Sequence, residues 1–363
     1  KLPSVWRSSL AVDFKLGHGY KLTLDGMYTK TIHDVLFQQI NKKDVTEFYS
    51  TGPTQTPVYT GGNINSNFAN VFLLTNTSKG YRYNLTAQLA RTSDPIHVGS
   101  RATFVYNWSA AYTYGMSKDV ANGIRNSMQS NWDYNPSISA NSPSLGYSNF
   151  DLRQHIVATL GGALNWNTVH TTSLNFFYSG QSGSPYTLIY AGVPGNVLNP
   201  NSALPYIPTV AESQTMILDA ANRAAFNTFV DADSYLKNRR GKYAERNGMR
   251  TPWNHELDLK LMHEFHLSSS NRQHTLAISL DIFNVLNLIN NNWGHITFVS
   301  NLNNYTVNFL KFAKDANKVV AGNPSTGYIP TFQFQAPTLG NHYYYNDPIN
   351  SRWQGQLGLK YTF

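Results

Sequence analysis

The chain runs to 363 residues, 13% charged and 41% hydrophobic, with 28 Lys and Arg against 20 Asp and Glu, a formal charge of +8 and no Cys. The absence of cysteine excludes a disulfide scaffold and a thiolate metal site, and no run approaches the ~18 consecutive apolar residues of a membrane-spanning helix. The basic residues are not gathered into one stripe, so no nucleic-acid partner is expected.

Nine segments, taken in chain order, alternate apolar and polar residues with a period of two, as a strand with one greasy and one wet face does. The first sets Leu10, Val12, Phe14 and Leu16 against Ser9, Asp13 and Lys15; the second sets Tyr20, Leu22, Leu24 and Tyr28 against Lys21, Thr23 and Asp25. In the third, Tyr81, Tyr83, Leu85, Ala87 and Leu89 alternate with Arg82, Asn84, Thr86 and Gln88. In the fourth, Phe104, Tyr106, Trp108, Ala110, Tyr112 and Tyr114 oppose Thr103, Asn107, Ser109 and Thr113. Weaker alternation covers Ile156 to Leu164 and Ser173 to Ser179. HELDLKLMHEF sets Leu257, Leu259, Leu261 and Phe265 against Glu256, Asp258, Lys260 and Glu264. RQHTLAISLDIF sets Leu276, Leu280 and their neighbours Ile278 and Ile282 against Thr275, Ala277, Ser279 and Asp281. The last, GQLGLKYTF, carries Leu357, Leu359, Tyr361 and Phe363 on one side and Gln356, Lys360 and Thr362 on the other. A short apolar piece, NVFLL at 70–74, reads as β structure within or beside the first long connection.

Asp13, Asp25, Arg82, Asp258, Lys260, Asp281 and Lys360 fall on the polar side of these strands, where lipid would be costly and a watery lumen accepts them. Aromatic residues collect toward strand ends, as in an interfacial girdle. A secreted β-sandwich also alternates, but its strands are usually about five or six residues long, and several here run to ten or more. The connections alternate without exception. Those at 17–19, 93–100, 165–170 and 268–271 are short, and those at 41–79, 117–148, 184–249 and 287–351 are long. Short turns mark the periplasmic side of an outer-membrane barrel and long loops the outside. The expected fold is therefore all-β, a transmembrane antiparallel β-barrel with long extracellular loops and its C-terminus in the periplasm. No secretory signal opens the chain, so either a leader was removed or the start is missing; nine is odd, bacterial barrels have an even strand number, and an open sheet edge cannot face lipid. The sequence is thus expected to be the C-terminal part of a larger barrel over residues 1–363.

SLDIFNVLN (Ser279 to Asn287), FYSGQSGSPYT (Phe177 to Thr187), LLTNTSKGYRYNLTAQL (Leu73 to Leu89) and YLKNRRGKYAERNGMRTPWNHELDLKL (Tyr235 to Leu261) together resemble the TonB-dependent outer-membrane transporter family. The last two look most like the Bacteroidota-type, Oar-like branch with a carboxypeptidase-regulatory-like domain. The resemblance runs in order along nearly the whole chain. It implies a barrel of about 22 strands, an N-terminal plug, and a TonB complex reached through an N-terminal part not in this sequence. The terminal Leu359, Tyr361 and Phe363 resemble the element by which the barrel-assembly machinery recognises a nascent strand.

No catalytic residue and no cofactor is expected. GQSG at 180–183 lacks the G-x-S-x-G spacing of a nucleophile elbow and no helix pattern follows it; it reads as a flexible strand exit. His263 and His266 project to opposite faces of a strand, and His255 and His263 lie about 26 Å apart along one, so no metal site is expected. Arg239, Arg240, Lys242 and Arg246, in the basic run KNRRGKYAERNGMR, are candidates for lipopolysaccharide phosphates or another anion. A solvated loop with Glu245 folded back upon it is the competing reading. Asn341, His342, Tyr343, Tyr344 and Tyr345, with Trp132 and Tyr134 from WDYNP, offer stacking and hydrogen-bonding groups suited to a ligand or partner surface. Loop packing is the plain alternative for both clusters.

The expected function is an outer-membrane active transporter that takes up a nutrient ligand. Two alternatives stand beside it: a passive pore, and a structural or docking component that holds a surface lipoprotein or secretion partner.

Overall fold

In the computed structural model, residues 1–43, 47–48, 57–58, 62–121, 123–191, 202–269, 272–300, 305–313, 330–338 and 340–363 are described. Nine strands form one continuous sheet: β1 (Ser4–Gly17), β2 (Tyr20–Gln39), β3 (Tyr81–Thr92), β4 (Ala102–Asp119), β5 (Gln154–Asn165), β6 (His170–Gln181), β7 (Asn254–Ser269), β8 (Arg272–Phe283) and β9 (Gln354–Thr362). Their order in the sheet is their order in the chain, and every neighbouring pair is antiparallel. Each alternating segment of the sequence lies within one strand, except that Phe363 stands just past the end of β9. NVFLL at 70–74 leads into a strand, Phe72–Thr77, paired with the long-loop end of β2 from Asp34 to Gln39. Of the turn at 268–271, residues 270 and 271 lie outside the described residues.

Register keeps the two faces of the sheet separate. Val12 pairs with Leu24, Leu24 with Ala87, Ala87 with Tyr112, and Tyr112 with Ile156. Farther along, Phe176 pairs with Leu259, Leu259 with Ile282, and Leu280 with Leu357. A one-residue slip at any pairing would put the next strand's apolar set on the wrong side. This apolar face is largely bare. Leu10, Leu85, Leu357 and Leu359 are 73%, 56%, 80% and 74% exposed, far more than a folded soluble sheet leaves uncovered.

The opposite face is held by polar pairs: Thr23 and Lys21 on Asp13 at 2.6 and 3.0 Å, Thr86 with Thr113 at 2.9 Å, Ser109 with Thr159 at 2.8 Å, and Lys260 with Asp281 at 2.8 Å. At Gly161 a Cβ would stand 2.5 Å from the Asn175 Oδ1 and 3.2 Å from the Asn107 Oδ1, so glycine lets two amides from the flanking strands approach across it.

The short connections all lie at one end of the sheet and the long ones at the other. In the first turn Gly19 has φ +76°, and a Cβ there would sit 2.0 Å from the Thr92 carbonyl oxygen. Only glycine allows both that conformation and that approach. β1 and β9 are the two edges of the sheet, and both run from the long-loop end toward the short-turn end.

The buried core of the molecule lies outside the nine-strand sheet. The connections after β6 and β8, read in the sequence as long outer loops, pack into a second layer. Pro185–Ala191 pairs in parallel with Thr306–Phe312, which pairs with Phe332–Phe334. Five helices lie in the connections among the described residues: α1 (Met128–Asp133), α2 (Val210–Met216), α3 (Ala220–Ala232), α4 (Ser234–Lys237) and α5 (Val285–Ile289). A capping box starts α2: the Thr209 hydroxyl accepts from the Glu212 N–H at 3.2 Å and the Glu212 carboxylate accepts from the Thr209 N–H at 2.8 Å. Asp219 caps α3, whose buried Phe226 and Val230 face Phe309 and Phe334.

Candidate functional site

Two rows of aromatic and basic residues mark the apolar face on its first strands. Toward the long-loop end the register aligns Trp6, Lys30, Tyr81, Lys118 and Tyr147 in one row. Toward the short-turn end it aligns Tyr20, Arg91 and Trp108. The rows are ten residues apart on β2, β3 and β4, and the residues between them on this face carry no charge. Ten residues of strand span about 33 Å; at the tilt of about 40° that strands have in membrane barrels, such a span corresponds to the roughly 25 Å height of their apolar band. Arg91 is engaged within its row, donating to the Tyr20 hydroxyl at 3.0 Å with its guanidinium 4.7 Å above the Tyr20 ring.

Histidines cluster on the same face near the short turns. Reading each strand separately missed this, because the partners lie on different strands. His170 of β6 and His263 of β7 approach to 3.4 Å between Nδ1 and Nε2, and Phe265 packs edge-on against both rings. His266 faces the other way, toward Thr171 and Thr275. Among the described residues no three potential ligands gather around one metal position.

Above the sheet, the second layer encloses a cavity of about 540 Å³. Its apolar wall comes from Tyr186, Phe229 and Phe334, and its polar groups from Asp233, Arg250, Asn341, His342 and Tyr344. The His342 ring stacks on Tyr344 with centroids 3.9 Å apart. Tyr344 also borders a second cavity of about 390 Å³ lined by Trp253, His255, Trp293 and His295. Flat rings beside amides and imidazoles suit a neutral polar ligand that stacks and hydrogen-bonds. Asp233 is committed to the N-terminus of α4, accepting from the Leu236 N–H at 2.9 Å.

The three consecutive tyrosines therefore have separate roles in the structure. Tyr343 faces away from the cavity, packing against Phe229 and Phe309, with its hydroxyl donating to the Gln335 carbonyl. Burial pushes its phenol well above the ordinary range, so it stays a neutral donor. Tyr345 stacks on Phe298. Asn341, His342 and Tyr344 alone of this stretch line the first cavity. Trp132 is buried, bonded to Asn141 at 2.9 Å and edge-on to Phe72, while Tyr134 is exposed beneath the Arg125 guanidinium.

Most of the basic run is engaged internally. Arg239 pairs with Glu245 at 3.2 Å and donates to the Tyr243 carbonyl; Arg240 pairs with Asp231 at 3.0 Å; Arg246 is buried against Asp119. Lys242 is exposed in a short strand pairing with Tyr206–Ile207. GQSG is likewise tied down: the Ser182 hydroxyl accepts from the Arg153 and Gln154 N–H groups, each at 3.1 Å. Leu359, Tyr361 and Phe363 stand on the bare apolar face of edge strand β9, with Tyr361 bonded to His274 at 2.8 Å.

Phe229 and Phe334 of the cavity wall gave no local signal, since each joins the site from a different connection. Comparison with protein-family models, curated proteins and solved structures finds no match to this chain.

Proposed function

We propose that this chain is part of the wall of an outer-membrane β-barrel of the TonB-dependent transporter type, with its C-terminus in the periplasm, and that its outer layer captures a nutrient ligand for active uptake. The observation that carries the reading is the bare apolar face, kept in register across nine strands and bounded on β2 to β4 by aromatic and basic rows ten residues apart. The polar face then borders an aqueous lumen. An unpaired sheet edge is not tolerated in hydrocarbon. β1 and β9 run in the same direction, so an odd number of further strands completes an antiparallel wall; the family resemblance sets the total at about 22. The cavity at Asn341, His342 and Tyr344 is the ligand site of this reading, facing outward on the long-loop side. The barrel-assembly machinery and the TonB complex are the partners it entails.

Full-length protein is expected in the outer-membrane fraction, folded only with an amphiphile, with ligand uptake that stops when the inner-membrane proton gradient is collapsed. Recovery as a monodisperse soluble protein without detergent would sink the membrane reading. Uptake that survives loss of the gradient would leave the barrel standing and make it a passive pore. The folded outer layer favours one second reading, a docking platform for a surface partner; that reading predicts a stoichiometric second chain on purification and no ligand uptake.

A further inference from the structure

We infer that Lys30 and Lys118, on either side of Tyr81, form a binding site for the phosphorylated sugar headgroup of an outer-leaflet glycolipid. The inference rests on the membrane reading above and gives its outer boundary a specific ligand.

The three residues are consecutive partners across β2, β3 and β4, on the apolar face and at the long-loop edge of its uncharged band. Among the described residues neither lysine has a carboxylate partner. Lys30 Nζ donates to the carbonyls of Ser78 and Gly80 at 3.1 and 3.4 Å. Lys118 Nζ lies 4.4 Å above the Tyr147 ring, and the Arg153 guanidinium lies 4.6 Å from the same ring. Of these three cations Arg153 is paired with Asp151 at 3.1 Å, so the charge that reaches this level without a carboxylate partner among the described residues is that of the two lysines.

An ammonium bordering hydrocarbon is stabilised by a counter-ion at the same depth, and in a bilayer that counter-ion is a lipid headgroup. The two lysine Cα atoms stand two strands apart, about 10 Å, a gap that two four-carbon stems close readily onto one phosphate. Between them, Tyr81 presents a ring, as Tyr147 and Trp6 do at either side in the same row, and such rings stack against sugar faces. Charge plus ring platforms fits a phosphorylated sugar better than a phosphodiester with a small alcohol. The contrast with the opposite boundary is informative. There Arg91 donates to the Tyr20 hydroxyl and lies over the Tyr20 ring, in a row that carries one cation rather than two.

The test uses full-length protein reconstituted with bis-phosphorylated lipid A, its dephosphorylated form, or phosphatidylglycerol, with co-purifying lipid measured by native mass spectrometry. Wild type is expected to retain the phosphorylated glycolipid over the dephosphorylated form, and the Lys30→Gln/Lys118→Gln double variant to lose about tenfold of that retention. Lys21→Gln, on the polar face, serves as the control and leaves retention unchanged. Equal retention of phosphorylated and dephosphorylated lipid overturns the inference, as does equal retention by the double variant. Displacement of the lipid by millimolar inorganic phosphate would assign the lysines to a free anion and also overturn it. Failure of the membrane reading has a different signature, since no variant would then enter the bilayer.

Discussion

Asp151, at the foot of β5, accepts from Arg250 at the approach to β7 and, at 3.1 Å, from Arg153 of its own segment. Its carboxylate side chain is wholly buried while both arginines keep some solvent, and Arg250 also donates to the carbonyls of Asp151 and Gly183 at 3.0 and 3.2 Å. The pairing clamps the second layer to the rim of the sheet.

Removing that carboxylate should loosen the layer and touch the sheet only at the long-loop end of β4, where the Ser117 N–H donates to it at 2.5 Å. Breaking a buried pair costs about 3–5 kcal/mol; here the freed arginines can rehydrate, so Asp151→Ala is expected to cost about 2 kcal/mol. Hydrogen exchange should accelerate at 244–251 and stay unchanged in β7 and β8. Equal acceleration throughout would show that the clamp serves the whole fold.

The tyrosine triplet should divide. Tyr343→Ala removes a ring packed against Phe229 and Phe309 and should destabilise the outer layer by about 3 kcal/mol. Tyr344→Ala leaves that core intact, merges the two cavities it separates, and should weaken ligand uptake at unchanged protease resistance. Uptake insensitive to Tyr344→Ala would remove the cavity from the transport route.

Adjacent residues on β3 offer a test of which face meets lipid. Leu85 lies on the apolar face at mid-band, and Thr86 lies on the polar face bonded to Thr113. On the proposed membrane reading, Leu85→Lys is expected to cost about 2–4 kcal/mol of stability in bilayers, and Thr86→Lys about 1 kcal/mol or less. Unfolding by urea in lipid vesicles measures both. Equal costs would mean that the two faces share one environment.

Acid should release the turn that leads into β9. Asp347 accepts from the backbone N–H groups of Asn350 and Ile349, each at 2.9 Å, and from the Asn350 side chain at 2.7 Å; these bonds hold its carboxyl below the ordinary range. With the folded value depressed, the stabilisation is complete above the unfolded carboxylate's pKa, near 3.9, and is lost as pH falls through the lower folded value. Exchange at the 349 and 350 amides should rise over that acidic window in wild type and be high already at neutral pH in Asp347→Ala. A pH-independent pattern in wild type would exclude the linkage.

Strand identity and the side each residue takes were legible because a period of two is a property of neighbouring residues. Leu257, Leu259 and Leu261 declare a face before any partner is known. What pairs with what across strands was less so: His170 and His263 sit 93 positions apart and meet through the β6–β7 register. The outer layer was the least readable part. Phe226, Phe309 and Phe334 come from two connections and converge in one core, while Arg246 and Arg250 look like exposed charges until Asp119 and Asp151 arrive from another part of the chain. Alternation along a strand is imposed by local backbone geometry, so the sequence alone determined the strands and their two faces. Cavities, clamps and cross-strand pairs depend on contacts between distant segments that leave no periodic trace, and only tertiary packing decided them.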